Sequence, residues 1–400
     1  MIAHQIIILL FIGYIIYTID LKREYFPVPV VLVLTGIGLS FIPFFDSLHI
    51  SKDIIFNVFL PALLFTSAYQ FPLKQLKEYA GIIAALSTLG LMATALLLGF
   101  GIYLVSAPFL DLTMTASFLL AAILIPTDPV SVTAILKQST GEEEIADVVE
   151  AESMVNDGTS IVIFTILLSM YETGNGFSLG KFVIDFLLVS IGGIAIGFVL
   201  GWLLCKVIHL THHRTYQVML SIIIAYGGFY IAETVGVSGV LATVVAGITL
   251  AFEFEKVIKD NHMKESLDGF WDIIIPTVLS VLFLMIGIQA AEYLAFPHWW
   301  LAVIIFILSI VARFIVLGGF IYSVPVWKNE FTNDFSATAL LTWAGIKGTM
   351  SIALLLWLEG IMPEGDKLII SLAFATVLLS LVLQSIGIYP LTKFLNKKRA

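Results

Sequence analysis

The chain has 400 residues, of which 59% are hydrophobic and only 12% charged, and its mean hydropathy is +1.03. Because a soluble domain carries about 25% charged residues, this composition excludes a soluble globular protein and places most of the chain in lipid. The formal net charge of −9 identifies no partner, and we expect no nucleic-acid binding. The single cysteine, Cys205, excludes a disulfide framework and a multi-cysteine metal site.

Apolar stretches near 20 residues recur along the whole chain, and this length crosses roughly 30 Å of hydrocarbon. We count thirteen candidate spans, which start near Ile2, Phe26, Asp53, Tyr79, Asp111, Ile145, Leu179, Thr215, Val235, Leu267, Pro297, Phe335 and Lys367. Lys and Arg are retained on the cytoplasmic side of membrane proteins, and most of the 20 such residues fall on one side if the N-terminus is outside. We therefore predict a multi-pass protein of the cell membrane with an external N-terminus and a cytoplasmic C-terminus.

Two of the predicted spans contain residues that interrupt helices. The fifth carries Pro126 and Pro129, and proline removes a backbone donor and breaks the helical ladder. The twelfth carries Gly345 and Gly348 around Lys347, and glycine loosens the backbone. If the seventh span joins two inverted six-helix repeats, the two breaks take equivalent positions, which marks the binding site of a transporter. The alternative is that both are ordinary kinks.

Polar residues in the sixth predicted span point most directly to function. The spacing of Glu152, Ser153, Asn156, Asp157 and Ser160 places all five on one face of a helix. An ionisable group at membrane depth costs about 2.5–3.5 kcal/mol on insertion scales. Such residues are normally tolerated where they face a protein interior or a water-filled path, so this face is the first candidate for a site.

A second acid, Asp128, lies between the two prolines of the fifth span, at a depth similar to that of Asp157. Hard cations prefer oxygen ligands, and Thr127, Asp128, Ser153 and Asp157 supply carboxylate, hydroxyl and carbonyl oxygens. Because burial disfavours the charged form of a carboxylic acid, a buried acid can hold either a proton or a cation. We predict that these four residues bind both. Alternatively, Asp157 is a neutral structural acid, and Asp128 balances the positive ends of broken helices.

Other charged residues within the spans have structural interpretations. Arg313 lies in the eleventh span, and its guanidinium stays protonated, so it needs a permanent counter-charge. We predict that Glu152 provides it as a structural ion pair. Lys347 is expected to face the negative ends of half-helices. Asp147 and Glu150 either line a cytoplasmic funnel or lie at the membrane interface.

Small residues recur on one face of the seventh predicted span. Gly193, Gly197 and Gly201 occupy every fourth position. Small residues at this spacing let helices in lipid approach each other closely, so we predict a helix-packing face with no further role.

Short motifs follow one another along the chain: FLPALLF at 59–65, TDP at 127–129, ES at 152–153, NDG at 156–158, GVSGVLA at 236–242, FW at 270–271, FLMIG at 283–287 and WAGIKG at 343–348. In this order they resemble the core of the NhaP-type and NHE-type sodium/proton antiporters, and the resemblance covers nearly the whole chain. It implies an all-α membrane protein with about thirteen transmembrane helices, inverted six-helix repeats and two broken, crossing helices, the NhaA-like antiporter fold.

The resemblance also implies a domain organisation. Residues 1–78 and 210–290 would form dimerisation helices, 79–172 and 297–392 core ion-transport helices, and 173–209 a linking helix. The core would slide against the dimerisation helices of a homodimer and expose its site to each side of the membrane in turn.

By the same resemblance, the chain exchanges Na+, or Li+ or K+, for H+ in sodium and pH homeostasis. Thr127, Asp128, Ser153 and Asp157 would bind the cation. Asn156 before Asp157, in place of a second Asp, resembles the electroneutral branch that exchanges one cation for one proton. Two further residues, Glu152 and Arg313, would be structural, and Lys347 stands where many relatives carry Arg. We expect no enzyme activity and no cofactor besides the transported ions.

Buried acids in a membrane protein are also compatible with three other functions. An intramembrane aspartyl protease would use two buried acids, but the Gly-x-Gly-Asp stretch that it needs is missing. A proton- or sodium-coupled symporter of an organic anion on the same fold would need a pocket for that anion. A channel is disfavoured because exchange requires a closed site with competing ligands.

Overall fold

Helices make up nearly all of the described chain, as the hydropathy pattern predicts. The computed structural model describes residues 2–23, 27–110, 112–128, 136, 143–173, 179–208, 214–256, 261–324, 334–361 and 367–397. Within these ranges nine helices are long and apolar enough to cross a membrane, and three apolar helices are shorter. The predicted multi-pass, all-α class is confirmed.

The helices are, in chain order, α1 (Ile2–Arg23), α2 (Val28–Leu39), α3 (Lys52–Gln70), α4 (Leu73–Glu78), α5 (Ala80–Ser106), α6 (Met114–Leu124), α7 (Glu143–Thr173), α8 (Leu179–Ile208), α9 (Arg214–Val235), α10 (Gly239–Lys256), α11 (Asn261–Leu294), α12 (Trp299–Ser323), α13 (Asp334–Trp343), α14 (Thr349–Glu359) and α15 (Lys367–Lys397). A helix begins close to each of the thirteen predicted span starts. The exact number of spans, the inverted repeats and the division into dimerisation, core and linking helices stay predictions.

Side chains fix where two of the site-forming helices begin. Thr113 precedes α6, and its hydroxyl accepts a hydrogen bond from the backbone N–H of Ala116 at 3.2 Å. Ser51 caps α3 in the same way through the N–H of Ile54 at 3.4 Å. Such caps satisfy backbone donors that the first helical turn leaves unpaired, so the polar residues between the apolar runs set the helix starts.

The interruption predicted in the twelfth span exists, and the non-helical residues that follow α6 in the fifth predicted span meet it. The helix α6 ends at Leu124, ahead of Pro126, and residues 125–128 continue without helical structure. In the twelfth predicted span, α13 ends at Trp343 and α14 begins at Thr349. The second half of the fifth predicted span, Pro129 included, lies outside the described residues except for Leu136. The backbone N–H of Asp128 donates to the carbonyl of Ile346 at 2.8 Å, so the two breaks are bonded to each other.

Two wider turns that the sequence analysis does not predict interrupt long helices. One π-helical turn spans Ile55–Phe59 in α3, and the other spans Leu86–Gly90 in α5. The second has a visible cause in its hydrogen bonding, because the hydroxyl of Thr159 on α7 donates to the carbonyl of Ser87 at 2.6 Å. Side chains that enter the helical ladder in this way are a known origin of such turns.

The glycine face of α8 packs directly on the backbone of α10, as predicted. A Cβ added at Gly193 would lie 2.5 Å from the carbonyl oxygen of Ser238, and one at Gly197 would lie 2.2 Å from that of Ala242. Real Cβ atoms do not approach backbone so closely, so only glycine permits this contact. The close packing of small residues therefore joins the long helix α8 to the rest of the bundle.

We expect Gly197→Val to destabilise the protein by about 1–3 kcal/mol, because the added side chain must push the backbone of α10 away. Ala195→Val is the matched control, since Ala195 lies on the exposed face of the same helix. Thermal melting of both variants in detergent checks this. Equal losses of stability in the two variants would contradict the packing role of the glycine face.

Candidate functional site

The sixth predicted span forms α7, and its polar face is turned inward. Glu152 is 3% exposed, and both Ser153 and Asn156 are 0% exposed. Asp157 and Ser160 follow on the same face of the helix, and the hydroxyl of Ser160 donates to the carbonyl of Asp157 at 3.1 Å. The polar residues that the helical spacing places on one face of α7 are thus all buried or half-buried.

Four polar side chains, three of them on the α7 face, form one hydrogen-bond network. The hydroxyls of Thr127 and Ser153 are 2.8 Å apart. The Asn156 amide nitrogen donates to the Thr127 hydroxyl at 3.3 Å and to Glu152 Oε1 at 3.2 Å. The network ties the break after α6 to the middle of α7 and fixes the direction of the Asn156 side chain.

Glu152 and Arg313 form the ion pair that the sequence predicts. Arg313 lies on α12, and its Nη2 and Nη1 atoms donate to Glu152 Oε2 at 2.7 Å and to Glu152 Oε1 at 3.3 Å. Its Nε donates to the carbonyl of Leu341 at 3.4 Å. A Cβ added at Gly345 would lie 2.4 Å from Arg313 Nε. The guanidinium therefore packs against the unwound stretch between α13 and α14, which leaves no room for a side chain there.

Asp128 caps the start of α14. Its Oδ2 accepts hydrogen bonds from the backbone N–H of Thr349 at 3.2 Å and from the Thr349 hydroxyl at 2.9 Å. A carboxylate at this position also offsets the positive end of the helix. A Cβ added at Gly348 would lie 2.2 Å from Asp128 Oδ2, so glycine is required beside the carboxylate. The alternative role left open on the sequence, balancing a broken helix, is thus one that Asp128 performs.

A cavity of about 200 Å³ lies between α3, α7, α11 and α14. Its polar lining consists of Thr66, Ser67, Gln70, Asp128, Glu150, Asp157 and Thr349. Two of these residues have a buried side-chain oxygen without a hydrogen-bond partner in the described structure, namely Asp157 at Oδ1 and Thr66 at Oγ1. Since buried polar atoms are normally paired, the cavity has oxygens that are ready for a proton, a water molecule or a cation.

The four predicted cation ligands are not all turned to this cavity. Asp128 and Asp157 line it, whereas Thr127 and Ser153 do not belong to its lining and bond to each other. Glu150 lines the cavity, but Asp147, buried in α7, does not. Among the described residues, no group of three or more His, Cys, Asp or Glu side chains is placed to hold a metal ion.

Sequence reasoning missed the wall of the cavity that α3 provides. Thr66, Ser67 and Gln70 occupy positions i, i+1 and i+4, which share one face of a helix. A polar face inside an apolar span is the sequence pattern that could have indicated this wall of the cavity. Gln70 also donates to Asp272 on α11 at 2.9 Å, which joins the two helices of this wall.

Lys347 is 3% exposed and lies between α13 and α14. Its side chain borders a separate void of about 10 Å³, together with Glu152, Arg313 and Thr94. A void of that size holds about one water molecule. Lys347 therefore belongs to the charged cluster behind the cavity and not to the cavity itself.

Replacing one partner of the Glu152–Arg313 pair should destabilise the protein more than replacing both. A single replacement leaves a buried charge unmatched, at a cost of about 3–5 kcal/mol, and the joint replacement removes both charges. Melting temperatures of Glu152→Gln, Arg313→Met and the double variant in detergent provide the comparison. Strictly additive losses would show that the two side chains do not depend on each other.

Comparison with known proteins gives the chain a family. A profile of the family described as sodium/hydrogen exchanger, transmembrane, matches residues 6–394. The Na+/H+ antiporter NhaG of Bacillus atrophaeus is 34% identical over 391 residues, which cover 94% of this chain and 71% of that protein. The Na+/H+ antiporter NhaH of Halobacillus aidingensis is 30% identical over 406 residues, which cover 98% of this chain and 97% of that protein.

The fold has a solved counterpart. The structure of the sodium proton antiporter MjNhaP1 from Methanocaldococcus jannaschii at pH 8 is similar with a TM-score of 0.75 and 21% sequence identity, and the match covers 98% of this chain and 97% of that chain. The symporter alternative finds no support in any of these matches, and the family is one of transporters. The profile match over nearly the whole chain and the identity to NhaG confirm the resemblance seen in the motifs, and the chain belongs to the sodium/hydrogen exchanger family.

Proposed function

We propose that this chain is a secondary antiporter that exchanges Na+ for H+ across the cell membrane, with both ions competing for Asp157. The observation that carries the proposal is the Asp157 carboxylate, which lines the cavity and has a buried oxygen without a hydrogen-bond partner in the part of the chain that the structure describes. Family membership and the relatives named Na+/H+ antiporters support the choice of ions.

A proton and a cation are alternative ligands of the Asp157 carboxylate. A buried carboxylate that is unpaired is unfavourable in a low-dielectric interior, and either a proton or a cation removes the uncompensated charge. Once Asp157 is protonated, it no longer offers a full negative charge to a cation. Two ligands that exclude each other at one site, which is exposed alternately to the two sides of the membrane, produce obligatory exchange.

Neighbouring groups support a stoichiometry of one cation for one proton. Asn156 carries no charge and is engaged with Thr127 and Glu152. Glu152 is neutralised by Arg313, and Asp128 caps α14. Of the three acids that line the cavity, we assign the change of charge on binding to Asp157, and one carboxylate that exchanges one cation for one proton makes the exchange electroneutral. The same oxygens accept Li+ or K+ in principle, with Na+ as the physiological cation.

The roles of the other predicted residues follow from their positions. Asp128 contributes its carboxylate to the cavity in addition to capping α14, and Thr127 and Ser153 approach the cation when their mutual hydrogen bond opens. Asn156, Glu152, Arg313 and Lys347 support the site from behind. Sodium and pH homeostasis is the physiological role that such an exchanger serves.

The cavity lies where two proposed domains meet. Its walls are α3 and α11 on one side and α7 and α14 on the other, which correspond to the proposed dimerisation helices (1–78 and 210–290) and core helices (79–172 and 297–392). Movement of one group against the other, with 173–209 as the link, exposes Asp157 to each side in turn. We place the N-terminus outside the cell and the C-terminus in the cytoplasm. The chain is proposed to form a homodimer.

Asp157→Asn should abolish sodium-driven proton movement and leave a folded protein. The amide keeps the volume of the side chain but can neither release a proton nor supply the negative charge. Asp185→Asn on α8 is the matched control, since Asp185 lies away from the cavity. The assay is the fluorescence of a pH dye in proteoliposomes after addition of Na+. Residual sodium-dependent pH changes in Asp157→Asn would refute the assignment.

Sodium and protons should compete, so the apparent KM for Na+ should rise as the pH falls. Where most sites are protonated, the rise should approach about tenfold per pH unit, since each unit costs about 1.4 kcal/mol of deprotonation. At high pH the rate should fall because the return step lacks its proton. Initial rates over a grid of symmetrical pH values and Na+ concentrations measure both limbs of this profile.

A KM for Na+ that stays constant across the acidic range would show that proton and cation occupy separate sites. If the proton and the cation share one site, saturating Na+ should restore the maximal rate at acidic pH. The same vesicles without Na+ serve as the control for passive proton leak.

A further inference from the structure

The unwound stretch between α13 and α14 is held from behind by two polar side chains of α15. Backbone groups at membrane depth find no water to bond, so a break in a span persists only where protein groups satisfy it. Ser380 and Gln384 provide such groups, and they are 0% and 1% exposed. One helical turn separates them on α15, so both face the break.

Four hydrogen bonds join Ser380 and Gln384 to the unwound stretch and to each other. The backbone N–H of Lys347 donates to the Ser380 hydroxyl at 2.9 Å, and that hydroxyl donates to Gln384 Oε1 in a short hydrogen bond. Gln384 Nε2 donates to the carbonyl of Trp343 at 2.9 Å, and Trp343 Nε1 donates to the carbonyl of Gln384 at 2.9 Å. Both ends of the unwound stretch are therefore attached to α15.

The opposite side of the same stretch carries Asp128. The carbonyl of Ile346 accepts from the Asp128 N–H, and the N–H and hydroxyl of Thr349 donate to the Asp128 carboxylate. Lys347, the residue that Ser380 holds, lies between these two attachment points. A displacement of Lys347 thus moves Ile346 and Thr349 and, through them, both the backbone and the side chain of Asp128.

We propose that Ser380 and Gln384 are positioning residues that set the place of the Asp128 carboxylate in the cavity and thereby the affinity for the transported cation. The inference rests on the proposed Na+/H+ exchange. Neither side chain lines the cavity, so their effect on the cation passes through the unwound stretch. Ser380 and Gln384, which we call the clamp, hold the backbone conformation of the unwound stretch without lining the cavity.

A purely structural role makes a different prediction. If α15 only stabilised the fold, loss of the Ser380 hydroxyl would lower the melting temperature and leave the cation affinity of the folded protein unchanged. If the clamp places Asp128, loss of one hydrogen bond weakens Na+ binding by about fivefold, which corresponds to about 1 kcal/mol. The two roles therefore separate in the affinity for Na+.

The test compares Ser380→Ala with Ser385→Ala. Ser385 lies on the same helix, is 2% exposed, and its hydroxyl has no hydrogen-bond partner in the described structure. The two variants remove the same atom from equally buried positions. The apparent KM for Na+ is measured in proteoliposomes, and the rise of the melting temperature with Na+ concentration in detergent reports binding without transport.

We expect Ser380→Ala to raise the KM and the concentration for half-maximal thermal stabilisation about fivefold, Ser385→Ala to leave both within twofold, and Ser380→Thr to restore them by returning a hydroxyl. Gln384→Met, which keeps the length but not the amide, should act like Ser380→Ala and replaces it if Ser380→Ala does not fold. Unchanged Na+ affinity in Ser380→Ala and Gln384→Met, or an equal loss in Ser385→Ala, would overturn the inference.

The unaltered protein and Asp157→Asn are measured beside these variants. If the unaltered protein drives no sodium-dependent pH change, the exchange proposal fails and this inference falls with it. If the unaltered protein exchanges and Ser380→Ala has the same Na+ affinity, the positioning role alone is overturned.

Discussion

The structure depends on the requirement that backbone groups at membrane depth be bonded within the protein. The twelfth predicted span is broken between α13 and α14, and the hydrogen bonds between Asp128 and residues 346–349 join this break to the non-helical residues that follow α6. The carboxylate that completes the start of α14 thereby lies at the cavity. Gly348 is fixed by the same contact, since a side chain there would collide with Asp128. One set of bonds thus both allows the interruption and locates an acid at the site.

The charged side chains of Glu152 and Arg313, behind the cavity, are paired with each other. Arg313 neutralises Glu152, and Asn156 connects that pair to Thr127 without adding charge. Breaking such a buried pair is costly, so these groups hold their arrangement while ions come and go. Asp157, one residue after Asn156, is turned to the cavity, and its Oδ1 has no hydrogen-bond partner among the described residues. The engagement of Glu152 and Asn156 with other side chains supports the proposal that Asp157 exchanges a proton for a cation.

The cavity is asymmetric in its chemistry. The carboxylates of Asp128, Glu150 and Asp157 lie on one side, and the uncharged Thr66, Ser67 and Gln70 of α3 lie on the other. Moving α3 and α11 relative to α7 and α14 would change the hydroxyl and amide groups near the ion while the charged groups stay together. A cation could therefore keep its counter-charge throughout a cycle of alternating access, and the side of the membrane that it meets would be decided by the uncharged wall.

The sequence by itself determined the helical, multi-pass class, the break in the twelfth predicted span, the polar face of α7 and the partnership of Glu152 with Arg313. Each of these follows from local chemistry: apolar length, the backbone effect of glycine, helical spacing, and the need of a permanent charge in lipid for an opposite one. Only the tertiary structure decided that Thr127 and Ser153 bond to each other, that Asp128 caps α14, that α3 supplies the opposite wall, and that Ser380 and Gln384 hold the break. These depend on which helices become neighbours across up to 221 residues of chain, and helical periodicity fixes the face of a residue but not the helix that it meets.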